Sequence, residues 1–203
     1  LVPPSDCVMV FSSYFFLFAF LPLTLLAYYL APRRLKNGIL LLLSALFYAW
    51  GAPNVVLFVI VSCAVDYWIG GKLPAHPRRK ALLFTGIALN LALLAYYKYA
   101  NFFVAQLNEL LGTLDAGTLR WSSVALPIGI SFFVFHKISY LVDVYRGKAA
   151  GADSFGDYFL YILFFPQLIA GPIIRYFDIA EQLRSRRFEA EQFFYGFLRF
   201  SLG

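Results

Sequence analysis

A run of 22 residues without a charged side chain, from Val10 to Ala31, limits what this chain can fold into more than any other feature. As an α-helix with a rise of about 1.5 Å per residue, the run would reach roughly 33 Å, and a hydrocarbon core is about 30 Å thick. It is too long for the apolar part of a signal peptide, and the irregular lead at 1–8 contains no basic residue. The run therefore predicts a transmembrane helix.

Four further apolar runs predict an all-α, polytopic transmembrane bundle with about five spans. The second and third runs flank a turn at 51–54 and predict a helical hairpin. The third run stops at Gly70-Gly71, and Asp66-Tyr67-Trp68 near its end suits an interfacial aromatic belt. Residues 101–123 are expected to form the most polar loop. The four runs lie at 37–50, 55–69, 81–97 and 124–145.

Composition supports a membrane environment. The chain is 61% hydrophobic and only 14% charged, whereas soluble domains carry about 25% charged residues. A formal net charge of +6 would also suit nucleic-acid binding, but the basic residues lie just outside the apolar runs, where membrane topology places them. We therefore expect the lipid bilayer as a partner and no nucleic acid. Cys7 and Cys63 have no metal-site spacing, so no metal is expected.

The Lys and Arg residues of the short loops predict the orientation. Loops 32–37 and 70–80 carry seven of them between the apolar runs, whereas the 51–54 turn has none and 101–123 has only Arg120. The positive-inside rule places the N-terminus outside and the basic loops, together with 146–156, in the cytoplasm. The seven basic residues are Arg33, Arg34, Lys36, Lys72, Arg78, Arg79 and Lys80.

The apolar segment 155–174 departs from this pattern because basic residues flank it on both sides. If it crossed the membrane, the basic cluster that follows it would lie outside. Pro166, Gly171 and Pro172 also interrupt a helix. We predict a re-entrant or in-plane segment that returns to the cytoplasmic side, with its irregular backbone buried in protein or lining a cavity.

Two stretches stand out for their polar side chains, and the first is 126–147. Four of its polar residues lie three, four and seven positions apart, so they share one helix face that is expected to line a polar interior. Alternatively, Lys137, Asp143 and Arg146 lie near the cytoplasmic interface and extend their charged ends to water. The face consists of His136, Ser139, Tyr140 and Asp143.

The second stretch, 164–175, places Gln167 between apolar neighbours and interrupts the backbone at Gly171-Pro172. Irregular backbone at membrane depth often builds a polar binding site. A structural kink packed against its neighbours is the alternative interpretation. From the residues alone, a transporter or channel would rank first, and a structural subunit without chemistry also remains open.

Together the two stretches resemble the signature of the membrane-bound O-acyltransferase family, in the branch that contains the alginate O-acetyltransferase membrane subunits. They occur in the expected order, about twenty residues apart. Three further stretches are also similar to that branch: 9–13 (MVFSS), 46–51 (LFYAWG) and 175–180 (RYFDIA). The resemblance covers essentially the whole chain and implies that 1–203 are the N-terminal part of a single transmembrane acyltransferase domain. The helical pattern is still running at 200–203, so we expect the domain to continue.

The resemblance implies an enzyme of the bacterial inner membrane. It would transfer an acyl group, here acetyl, from a cytoplasmic donor such as acetyl-CoA to hydroxyls of an exported, alginate-like polysaccharide, with periplasmic acetylation proteins as partners. Transfer of D-alanine to teichoic acid is an alternative within the same family. The histidine that the family uses in catalysis lies beyond both stretches, so residues 1–203 alone are expected to be inactive.

Neither histidine of the chain matches the family's catalytic one. His76 lies in a Pro-rich basic loop, and a lining role is expected for His136. The candidate lining and motif residues are Pro127, Gly129, Ser131, His136, Asp143, Arg146, Gln167, Gly171, Pro172 and Arg175.

Overall fold

A computed structural model describes residues 13–51, 55–114, 117–127, 129–168, 174–184 and 189–202. The regular structure in these residues is entirely helical, which confirms the all-α prediction. A π-helical segment, Phe16–Phe20, leads into α1 (Leu21–Leu30). The other helices are α2 (Lys36–Gly51), α3 (Val56–Lys72), α4 (Arg79–Thr113), α5 (Ile130–Tyr145), α6 (Phe155–Leu163), α7 (Phe165–Leu168), α8 (Tyr176–Arg184) and α9 (Ala190–Leu202).

The first helix owes its irregular start and its end to two prolines. Pro22 lies in the first turn of α1 and has no N–H to donate to the preceding turn, which is the π-helical segment. Ala31 takes an extended backbone with ψ 139°, as expected for a residue that precedes a proline. Helical structure therefore extends from Tyr14 to Leu30, and residues 10–12 of the predicted run lie outside the described residues.

Two predicted helix ends are wrong because the glycines and polar residues at these places do not stop a helix. α3 continues through Gly70 and Gly71 to Lys72, since a Gly can stay helical where a neighbour packs closely. α4 continues to Thr113, so 101–113 are helical, and of the remainder of the predicted 101–123 loop the described residues 117–123 are irregular. Nothing in 101–113 is a proline, and its apolar residues recur at helical spacing.

The start of the fifth helix also differs from the prediction. The apolar run begins at Val124, but α5 starts only at Ile130. Pro127 precedes it, and Gly129 has a φ of 75°, a left-handed conformation that is easy for Gly and that keeps the preceding residues out of the helix.

The irregular segment 117–127 lies along the second half of α4, held there by two asparagines. Asn101 donates to the carbonyl oxygen of Val124 at 2.7 Å, and its own side-chain oxygen accepts from Val124 N and Trp121 Nε1, each at 2.9 Å. Two helical turns later, Asn108 makes a similar pair of bonds with the backbone of Leu119. Because 117–127 are not helical, their backbone groups are not paired within a helix, and these bonds satisfy some of them.

α5 lies at the centre of the bundle, packed against α3, α4, α6 and α8. α6 is buried among α2, α3 and α5, and its residues 158–163 are all buried. A separate cluster of four phenylalanines packs the π-helical segment and α2 against α7, next to the break at Phe164 between α6 and α7. It consists of Phe16, Phe20, Phe47 and Phe165.

The Lys- and Arg-rich loops lie at one end of the bundle. At the start of α2, Asn37 donates to Asp157 of α6 at 2.8 Å and to the carbonyl oxygen of Leu183 in α8 at 2.9 Å. Arg184 pairs with Asp153 in the loop after α5. The guanidinium of Arg79, at the start of α4, lies 5.3 Å from the ring centre of Tyr145 at the end of α5. The end of α8 therefore lies on the same side as loops 32–37, 70–80 and 146–156.

Candidate functional site

The first feature of the candidate site is a buried pair formed by His136 of α5 and Gln167 of α7. Only 2% of His136 and 7% of Gln167 are exposed. The ring Nδ1 of His136 lies 2.6 Å from the carbonyl oxygen of Phe132, one turn earlier. A neutral imidazole that donates from Nδ1 accepts at Nε2, and the Gln167 amide donates there. Both ring nitrogens are therefore occupied.

Tyr161 connects this pair on α5 to the chain that follows α6. The ring of Tyr161 in α6 packs edge-on against His136, with 5.5 Å between ring centres. Its hydroxyl donates to the carbonyl oxygen of Ile174 at 3.0 Å. α6 ends at Leu163. The next residue, Phe164, has a ψ of 108° and turns the chain, and α7 then carries Gln167 inward. His136, Tyr161 and Gln167 thus hold together the described parts of the chain before and after 169–173, which lie outside the described residues.

A cavity of about 710 Å³ lies beside the pair, and Gln167 forms part of its wall. This volume is within the range of small-molecule sites. Its lining includes Asp178 and Glu181 and, among the described residues, no Lys, Arg or His. The other lining residues are Tyr28, Leu160, Tyr161, Phe164, Ile174, Ile179, Gln182, Leu183 and Gln192.

The remaining predicted site residues are distributed around α5. Asp143 is buried, with one oxygen (Oδ2) that has no hydrogen-bond partner among the described residues. Pro127 is buried, Ser131 is half-buried, and Gly129 precedes α5. Arg146 and Arg175 are exposed, and the Arg175 guanidinium lies 5.9 Å from the ring centre of Phe177. Gly171 and Pro172 lie outside the described residues.

Tyr140, on the predicted polar face, has a structural role. It is fully buried, and its hydroxyl accepts a hydrogen bond from the backbone N–H of Ala152 at 3.0 Å. Its ring packs against Tyr158 of α6 and Tyr176 of α8. It therefore ties the loop after α5 to the centre of the bundle.

A second buried polar cluster, which was not expected from the sequence, is formed by Lys137 and Asp66. Lys137 Nζ lies 2.9 Å from Asp66 Oδ2, and each residue is 1% exposed. Lys137 also donates to Ser62, and Asp66 accepts from Asn90 of α4 at 2.8 Å. The ammonium of Lys137 does not extend to water, so that alternative is wrong. Asp66 faces the bundle interior, and the interfacial aromatic belt expected around it stays a prediction. The available signal was one acid and one base, each within an apolar run.

Known proteins are similar to this chain over most of its length. It is 40% identical over 200 residues to "Probable alginate O-acetylase AlgI" of Pseudomonas syringae pv. tomato, covering 96% of this chain and 38% of the relative. It is 39% identical over 199 residues to the protein of that name from Pseudomonas aeruginosa, again covering 96% of this chain and 38% of the relative. The "Peptidoglycan O-acetyltransferase" of Helicobacter pylori is 28% identical over 211 residues, covering 88% of this chain and 39% of the relative.

The chain thus spans about two fifths of the length of the curated relatives it matches. No protein-family profile matches it. No solved structure matches it either.

Proposed function

Because this chain belongs to the membrane-bound O-acyltransferase family, we propose that it is part of an integral membrane O-acetyltransferase. The enzyme transfers an acetyl group from a cytoplasmic donor to hydroxyls of an exported polysaccharide. The observation that carries this proposal is the 40% identity to alginate O-acetylases over 96% of the chain. Since the chain spans about two fifths of those relatives, the activity is proposed for the whole protein.

A membrane location agrees with the exposed side chains of the bundle. Large apolar residues such as Phe18, Leu57 and Phe84 are 77%, 69% and 67% exposed, which is expected where the solvent is lipid. Among the described helices, α4 alone is long and apolar enough by itself to pass for a membrane span; Phe16–Leu30 and Lys36–Trp50 are shorter apolar helices. We propose five spans in the bacterial inner membrane, with the N-terminus outside.

The contacts at the basic end support a re-entrant path for the segment after α5. α6 starts beside Asn37, and α8 ends beside Asn37 and Asp153. The segment between these points therefore leaves and returns to the same end of the bundle. The positive-inside rule assigns this end to the cytoplasm.

The proposed chemistry needs a base and a shielded site. A hydroxyl is a poor nucleophile near neutral pH, so a positioned general base must take its proton. The acyl donor must also be kept from water, because hydrolysis competes with transfer. In the family the base is a histidine in a later helix. We propose that this chain forms part of the wall of the shielded site. The contact between His136 and Gln167 fixes the shape of the break between α6 and α7, beside the cavity.

The substrates follow from the relatives. Acetyl-CoA is the proposed donor, with no metal, and periplasmic acetylation proteins are the proposed partners. An alginate-like polysaccharide is the first candidate acceptor because the most similar relatives described above carry that name. Peptidoglycan is the second, because a relative at 28% identity is named for it. Both are envelope glycans with free hydroxyls.

Deleting the gene in its native organism tests the function. We expect the O-acetyl esters of one envelope glycan to disappear, as measured by NMR of the purified glycan, while the amount of exported glycan stays unchanged. The full-length gene restores the esters, and a gene for residues 1–203 alone does not. If export falls and the remaining glycan keeps its esters, the protein is a transporter and the proposal is wrong.

Substitution of His136 by glutamine distinguishes a lining role from a catalytic base. A Gln side chain can still exchange a hydrogen bond with Gln167, so we expect acetylation to fall less than about tenfold. A general base contributes about 10²–10⁴-fold. The measurement is the O-acetyl content of the glycan in cells that carry His136→Gln in the full-length protein. A loss of a hundredfold or more at normal protein level would make His136 the base.

A further inference from the structure

The Asp66–Lys137 pair lies where an ion pair is costly. Both residues are 1% exposed, and they join α3 to α5 in the interior of the bundle. Asn90 of α4 donates to the second oxygen of Asp66 and also to the carbonyl oxygen of Gly86, at 2.8 and 2.9 Å. Taking two charges out of water offsets most of their attraction, so such a pair contributes little net stability. A role in fixing one arrangement of helices is the best-attested use of such pairs.

The neighbour of Lys137 in the chain is His136, which belongs to the candidate site. Consecutive residues of an α-helix point about 100° apart. Lys137 points towards α3, where it contacts Ser62 and Asp66. His136 points towards α6 and α7, where it contacts Tyr161 and Gln167. Fixing the rotation of α5 through Lys137 therefore also fixes the direction of His136.

We propose that Asp66 and Lys137 are positioning residues, which set the rotation of α5 so that His136 meets Gln167 at the break beside the cavity. The consequence for catalysis rests on the proposed acetyl transfer, whereas the rotation of α5 does not. The two residues act through the His136–Gln167 contact and touch no substrate.

Two properties of the cluster favour this assignment over a simple packing role. Lys137 has two partners, Ser62 and Asp66, both on α3, and Asp66 is itself held in place by Asn90 of α4. A rotation of α5 would pull the ammonium group away from both partners and leave charges unpaired in an apolar interior. Apolar packing penalises the same rotation less sharply, because dispersion contacts have no preferred direction.

The test replaces both charges in the full-length membrane protein, as Asp66→Leu/Lys137→Met. Removal of both partners avoids an unpaired buried charge, so we expect normal protein level in the membrane. We also expect the turnover number for acetyl transfer to fall at least tenfold, with little change in KM. Phe135→Leu, on the exposed face of α5, is the matched control and should keep wild-type turnover.

¹⁵N NMR of histidine-labelled protein measures the tautomer and the environment of His136 separately from activity. The His136 signal is assigned by its loss in His136→Gln. In the unmodified protein we expect one tautomer, protonated at Nδ1. In the double variant this signal should shift or split. An unchanged signal together with unchanged turnover would overturn the proposal. If the double variant does not accumulate, Asp66→Asn/Lys137→Met replaces it, since it removes both charges and keeps a side-chain oxygen for Asn90; an unmoved His136 signal there also overturns the proposal.

The two hypotheses fail in different ways. If the unmodified protein transfers no acetyl group but the His136 signal changes in the double variant, the proposed function is wrong and the positioning of α5 stands. If the unmodified protein is active and the double variant matches it in turnover and spectrum, the positioning is wrong and the function stands.

Discussion

Lys137→Met alone is expected to destabilise the folded protein by about 3–5 kcal/mol, because it leaves the buried carboxylate of Asp66 without its partner. Lys137 and Asp66 are each 1% exposed, so neither water nor a lipid headgroup can replace the lost ammonium. Ser62 also loses the donor that it shares with Asp66. A loss of this size is a large part of the total stability of a typical protein.

The matched control is Lys98→Met in α4. Lys98 is exposed, and its ammonium lies 5.6 Å from the ring centre of Tyr99, a contact worth about 0.5–1 kcal/mol at an exposed site. Thermal unfolding of the detergent-solubilised full-length proteins, followed by tryptophan fluorescence, compares the two variants. Similar unfolding temperatures for Lys137→Met and Lys98→Met would show that the buried pair contributes nothing specific.

The class of fold follows from the sequence because the apolar runs are longer than a soluble core requires. Run length and the absence of charge identify helices without knowledge of their partners. The same reasoning fails at the helix ends. Gly70-Gly71 has the composition of a stop, yet both residues stay helical because Gly70 is pressed against Tyr140. Only a neighbour that is distant in sequence distinguishes a stop from a packing site.

The candidate site shows a similar division. His136 and Gln167 were both identified by their polarity within apolar stretches, and the structure brings them into contact over a separation of 31 residues. Asp66 and Lys137 carried an equally clear polarity. Their pairing was missed because local sequence suggested an interfacial position for each, and 71 residues separate them. Pairwise contacts between helices depend on the rotation of each helix, which hydropathy does not report.

The close contact of α3 with α5 gives the second large effect. A Cβ atom added to Gly70 would lie 2.5 Å from the hydroxyl oxygen of Tyr140 and 2.6 Å from Cε1 of its ring. The ring cannot move aside, because it is fully buried and packs against Tyr158 and Tyr176 with ring centres 4.6 and 5.2 Å away. α3 must therefore shift away from α5, which also strains the Lys137–Asp66 contact one turn earlier.

Gly70→Ala is thus expected to destabilise the protein by about 1–3 kcal/mol, the usual cost of overpacking a core. Gly71→Ala is the matched control, since a Cβ there meets no atom within 4 Å. Alanine has a higher helix propensity than glycine by up to about 1 kcal/mol, so this variant should be neutral or more stable. Unfolding of both full-length variants in detergent measures the two free energies. The adjacent substitutions should therefore differ in sign, and equal effects would mean that α3 and α5 do not approach closely at Gly70.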